Sequence, residues 1–185
     1  MIPAVDSEFR RVPMSCAMTV DLDRHFRRES FKRYALQCGL AGFVVLILLL
    51  ILDAVTQTVL IAALGASAFI AFAVPRSLHS GPRNMIGGYA IGMIAGCLMA
   101  MLESAMNVQG VGAAHAVMVI FGAMAISLAM FTMVVTRTEH PPAAALALGL
   151  VLNEWDLLTL AVVLAGIVAL SLIKRLVLPM LLDLI

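Results

Sequence analysis

Charge is scarce in this sequence: Asp, Glu, Lys and Arg make up 12% of its 185 residues, against 63% hydrophobic residues. Soluble domains carry about a quarter charged residues and roughly half apolar ones. A fold in water that kept this much Leu, Ile, Val, Ala and Met off its surface is therefore excluded. Cysteine is sparse as well. Cys16, Cys38 and Cys97 show no metal or redox spacing, and the last two lie in apolar stretches, where a thiol packs as a small hydrophobe. The N-terminus lacks the short apolar run of a secretory signal, so the tail is expected to stay in the mature protein. Nucleophile elbow, phosphate loop and helical His–Glu pair are all missing, and neither an enzyme nor a cofactor is expected. His79, His115, His140 and Glu103 share no ligand spacing, so no metal is expected either. Nor is there a basic stripe: Arg10, Arg11, Arg24, Arg27, Arg28, Lys32 and Arg33 alternate with Asp6, Glu8, Asp21, Asp23 and Glu29, which argues against nucleic acid as a partner.

The charges that exist are unevenly placed. Of the 23 Asp, Glu, Lys and Arg residues, 12 precede Tyr34. This divides the chain into a polar tail, 1–34, and a membrane body, 35–185. Residues 1–20 hold Pro3 and Pro13 and no clear period. From Asp21 to Tyr34, Leu22, Phe26 and Tyr34 recur at helical spacing with Phe31 near the same face, which suggests either an amphipathic helix on the membrane surface or a solvated lead-in.

Long apolar runs follow. A span needs about 20 residues, and Ala35–Leu52, Val55–Val74, Met85–Met106, His115–Thr136 and Leu157–Ile173 all qualify. Pro141–Leu152 is apolar but short. Basic loop residues favour the cytoplasmic side. That rule puts the tail, the loop Pro75–Asn84, Arg137 and Lys174-Arg175 inside, and Asp53, Asn107–Ala114 and Glu154-Trp155-Asp156 outside, provided Pro141–Leu152 crosses. The expected fold is thus an all-α polytopic transmembrane bundle of six segments, both termini cytoplasmic, the fifth short or broken and completed by Arg137–His140. The run Gly65–Ala73 with Gly87–Leu98 resembles Pro142–Leu148 with Thr159–Leu172, as in the 3+3 inverted repeats of transporters.

Two local patterns bear on function. Gly88, Gly92 and Gly96 form a small-residue ridge that fits close helix packing, either within the monomer or in a homo-oligomer. His140-Pro141-Pro142 starts a helix: proline fits the first turn, and His140 is pushed into an extended conformation by the proline after it. A helix start inside the membrane leaves N–H groups, those of Ala143 and Ala144, in need of a partner. Ala66, Ser67 and a break at Gly65 would form a matching start in the first half. Around the motif stand Thr136, Arg137, Thr138 and Glu139. Glu103 and His115 read as surface groups, whereas His140 could bind an anion or pass a proton.

His140-Pro141-Pro142-Ala143-Ala144 after Thr136 and Thr138, together with Gly65-Ala66-Ser67-Ala68, Pro75-Arg76-Ser77 and Pro82-Arg83-Asn84-Met85-Ile86-Gly87-Gly88, resembles the signature of the HPP family of integral membrane proteins. The resemblance covers roughly Leu64 to Leu150 and implies that 35–185 is an HPP-type domain. Some plastid-type and cyanobacterial members resemble nitrite carriers, so it also implies transport of a small inorganic anion, nitrite first, across a cell membrane such as the bacterial inner membrane. Two positions depart from the family pattern: it usually has Gly where Arg137 stands, and often Gly where Ala144 stands. The expected binding residues are His140, Pro141, Pro142, Ala143, Ala144, Thr138, Arg137, Gly65, Ala66 and Ser67, with Arg76, Arg83, Asn84 and Arg137 at the cytoplasmic mouth. A non-transporting scaffold or sensor is the alternative. A wet path to His140 would favour transport, and a dry, packed His140 the scaffold.

Overall fold

The computed structural model describes residues 28–52 and 58–181, and side chains in 35–47 and 60–181. The tail before Arg28, the first half of the proposed surface helix and the turn containing Asp53 lie outside the described residues. Six α-helices follow one another: α1 (Arg28–Leu52), α2 (Thr58–Ala73), α3 (Pro82–Ala105), α4 (Val111–Thr136), α5 (Pro141–Leu152) and α6 (Leu157–Val177), with 3₁₀ turns at Leu78–Ser80 and Leu178–Met180. Among the described residues the chain is all-α. It is a bundle of the expected kind, and α3, α4 and α6 are each long and apolar enough to cross a membrane.

Several boundaries differ from expectation. α1 begins at Arg28, seven residues ahead of the first expected span. The loop after α2 ends at Gly81 rather than Asn84, because Pro82 takes the first position of α3, where its missing N–H costs nothing. α4 starts at Val111, so His115 lies within it. Asp156 caps α6: its carboxylate accepts from the Thr159 N–H at 2.7 Å and the Thr159 hydroxyl at 2.6 Å. Those bonds, the hydroxyl's first, hold its carboxyl below the usual carboxylate range.

Burial follows the logic of lipid. Phe131, Val134, Val135, Ile120 and Val119 of α4 are exposed, as are Leu164, Val168 and Leu172 of α6. The interior instead takes Ala125 and Ala129 of α4 and Ala143, Leu146 and Ala147 of α5. Small residues let helices approach closely where no water drives them together.

The glycine ridge shows where α5 sits. A methyl built on Gly88 would lie 2.7 Å from the His140 Cβ, and one on Gly96 would lie 2.8 Å from the Ala147 carbonyl oxygen; one on Gly92 would press closer still on the Ala143 carbonyl. The three contacts advance together along both helices, so α5 runs parallel to α3. The ridge is therefore filled within the chain by α5 and is not free for a second copy. Gly88 lies six residues into α3, which at 1.5 Å per residue puts the start of α5 roughly 9 Å below that of α3. α5 itself is about 18 Å long, well short of a hydrocarbon core of about 30 Å. Thr138–His140, at about 3.3 Å per residue, supplies roughly 10 Å more. α5 is thus a short helix reached through a strap.

Candidate functional site

A strap of irregular backbone at membrane depth is tolerated only where protein satisfies its polar groups. Here nearly every satisfier comes from the Pro75–Asn84 region. The strap begins where α4 ends. Arg137 is left-handed (φ 55°, ψ 48°). Its N–H donates to the Val134 carbonyl at 3.2 Å, and the Thr138 N–H donates to the Met133 carbonyl at 2.9 Å. This bond pair is the Schellman ending, whose left-handed position normally takes glycine. Glycine, which the resemblance implies at this position, would fit that backbone conformation without strain. Replacing Arg137 with Gly should therefore raise stability by about 0.5–1 kcal/mol, the left-handed strain relieved less the extra chain entropy of glycine. Thermal melts of the purified protein in detergent check this.

Side chains hold carbonyls at the end of α4 and in the strap. Arg83 donates to the Thr136 carbonyl at 3.0 Å, while His79 Nδ1 (3.0 Å) and Asn84 Nδ2 (3.1 Å) both donate to that of Glu139. The buried Thr138 pairs its hydroxyl with that of Thr136 at 2.8 Å. One turn away, Lys174 of α6 is buried and donates to the Ser80 hydroxyl at 2.9 Å and to the Ser80 carbonyl. Ser80 in turn donates toward the Pro75 carbonyl at 2.8 Å.

His140 ends the strap at 1% exposure, in the extended conformation that the following proline demands (φ −143°, ψ 96°). Its Nδ1 donates to the His79 carbonyl at 2.8 Å. Its Nε2 lies 2.9 Å from the hydroxyl of Ser67 on α2. Ser67 also lies 2.8 Å from the Tyr89 hydroxyl of α3 and 3.0 Å from the Ala63 carbonyl. Ser67 and Tyr89 are fully buried, and the Tyr89 ring lies 5.7 Å from that of His140. One imidazole thus ties α2, α3, the 3₁₀ turn and the head of α5 together. Beside it a cavity of ≈ 300 Å³ is lined by Met130, Met133, Val134, Glu139, His140, Pro141 and Ala144.

Some expected features are rearranged. α2 runs unbroken through Gly65, Ala66 and Ser67, so no second helix start exists there; nothing in its Ala-rich sequence forces a break, and a lone glycine costs a helix only about 1 kcal/mol. Ser67 nevertheless meets His140, by its side chain. The Ala143 N–H donates to the His140 carbonyl at 2.9 Å, so it is not open to a ligand. Pro142 and Ala143 are buried, Pro141 is exposed and Ala144 is half-buried against the cavity. Of the residues assigned to the mouth, Arg83 and Asn84 hold the strap, while Arg76 and Arg137 are exposed at the same end. Lys174 is buried and bonded to Ser80. Sequence reasoning missed Tyr89, the His79 carbonyl and the Lys174–Ser80 pair. A lone tyrosine directly after Gly88 in an apolar helix was the available signal for the first.

The family model described as "HPP, transmembrane region" matches residues 28–181. A curated transmembrane protein of Dictyostelium discoideum is 36% identical over 99 residues, which cover 52% of this chain and 31% of that protein. The match thus spans about a third of that relative's length. No solved structure matches.

Proposed function

The chain belongs to the HPP family of integral membrane proteins, and from that premise we propose that it carries a small inorganic anion across the membrane, with nitrite the first substrate to test. The observation that carries this reading is a helix that starts below the surface of the bundle, reached through a strap held by side chains rather than by its own helical bonds. Such bonds can be exchanged one at a time, as a moving segment requires. The head of α5 carries the partial positive charge of a helix start, and Arg76, Arg83 and Arg137 stand at that end of the bundle. Together they raise the local concentration of an anion. Basic residues favour the cytoplasmic side, so this end is the cytoplasmic mouth, in a bacterial inner membrane. The 3+3 inverted repeat belongs to the same proposal: α2 and α5, the two shortest helices, would be equivalents, and they pack against each other.

His140 is packed on every side by protein groups except for the small cavity beside it, so conduction requires the strap to part from the Pro75–Asn84 region. That same packing favours the second reading, a scaffold that moves nothing. Purified protein in liposomes decides between them. The transport reading predicts nitrite entry well above that of empty vesicles, and saturable. If nitrite, nitrate, formate and chloride all cross no faster than in empty vesicles, the scaffold reading stands.

A further inference from the structure

We propose that His140 is a proton-binding site in which the Ser67 hydroxyl turns over to follow the charge, a role that rests on the transport reading above and would couple a proton to the anion. The carbonyl of His79, 2.8 Å from Nδ1, can only accept. Nδ1 therefore keeps its hydrogen in both the neutral and the cationic ring, and Nε2 is the atom that gains and loses a proton. When Nε2 is bare it needs a donor, and the Ser67 hydroxyl at 2.9 Å supplies it. Tyr89 then donates to the Ser67 oxygen at 2.8 Å. When Nε2 takes a proton, its new N–H points at the same Ser67 oxygen, which has a second lone pair for it. The Ser67 hydrogen swings to the Ala63 carbonyl, 3.0 Å away. Tyr89 does not move. Every donor has an acceptor in both states, and the only change is one hydroxyl rotation.

The bond to the carbonyl four residues back is one that Ser104, Ser127, Thr132 and Thr136 also make; at Ser67 it stands beside a titratable ring, and there it gives the hydroxyl a second acceptor. The proton comes from water at the basic end, forms the Nε2–H bond and leaves from the same nitrogen. An isolated buried imidazolium is costly, and an anion beside it offsets that cost, so the two are expected to travel together. The titratable neighbours are Tyr89 of α3, His79 of the 3₁₀ turn and the adjoining Glu139. α2 contributes only the hydroxyl of Ser67, and α4 the thioether of Met133. Lys174 of α6 engages Ser80, one residue beyond His79.

The test is nitrogen NMR of the full chain in lipid nanodiscs with ¹⁵N-labelled histidine, the His140 signals being assigned by their loss in His140→Gln. Between about pH 8 and 4, Nδ1 should stay protonated while Nε2 passes from bare to protonated. Ser67→Ala should move that midpoint down by about one pH unit, because a charge-assisted bond is lost from the cation. Ser67→Thr, which keeps the hydroxyl, should restore it. An Nε2 that stays in one protonation state across this range overturns the proposal, as does a midpoint unchanged in Ser67→Ala. This readout needs no flux, so a His140 that titrates in a protein carrying no anion sinks the transport reading alone. Flux without titration sinks only the proton site.

Discussion

Gly92→Ala should lower the stability of the bundle by about 3 kcal/mol, the upper end of what overpacking usually costs. The added methyl meets the carbonyl of Ala143, a backbone atom that cannot swing aside. α5 would have to back away from α3, and that shift would break the contacts that His140 makes three residues earlier in the chain. The substitution is conservative by volume and favourable by helix propensity, so propensity alone predicts the opposite sign. Gly65→Ala is the matching control. Nothing lies within 4 Å of a methyl built there, and it should leave stability unchanged or raise it by about 0.5–1 kcal/mol. Unfolding by SDS in mixed micelles measures both. Equal behaviour of the two variants would contradict the packing of α5 on the glycine ridge.

The contrast also shows what the sequence can reveal. Six helices and the shortness of the fifth were legible because apolar run length and basic-residue placement respond to one strong constraint, the thickness of the bilayer. His140-Pro141-Pro142 was legible as a helix start because proline acts through local backbone sterics alone. The partners of that start were not legible. Ser67 was singled out for a helix break that does not occur, and its actual contact with His140 depends on how α2 and α5 face each other. Tyr89 lies within an apolar run and Lys174 directly after one, and only the packed bundle reveals that both are buried. Arg83 and Asn84 look like mouth-lining groups in the sequence. The end of α4 and the strap give them acceptors, since carbonyls left without a helical partner in lipid surroundings must be met by something. Arg137 is the clearest case: its departure from the family glycine reads as an added charge, whereas its left-handed backbone marks a helix ending that prefers glycine.

The strap is the part of the molecule on which the transport account turns, and fastening it should abolish transport. Asn84 and Glu139 belong to the two segments that must separate, and the Asn84 side chain reaches the Glu139 carbonyl at 3.1 Å. In a chain whose Cys16, Cys38 and Cys97 are replaced by Ser or Ala, Asn84→Cys and Glu139→Cys can be joined by a short cleavable thiol crosslinker after reconstitution into liposomes. Nitrite entry should fall to the level of empty vesicles on crosslinking and return when the linker is cleaved, while each single-cysteine variant stays unaffected by the reagent. Nitrite entry that continues at its original rate with the two segments fastened together would contradict the account.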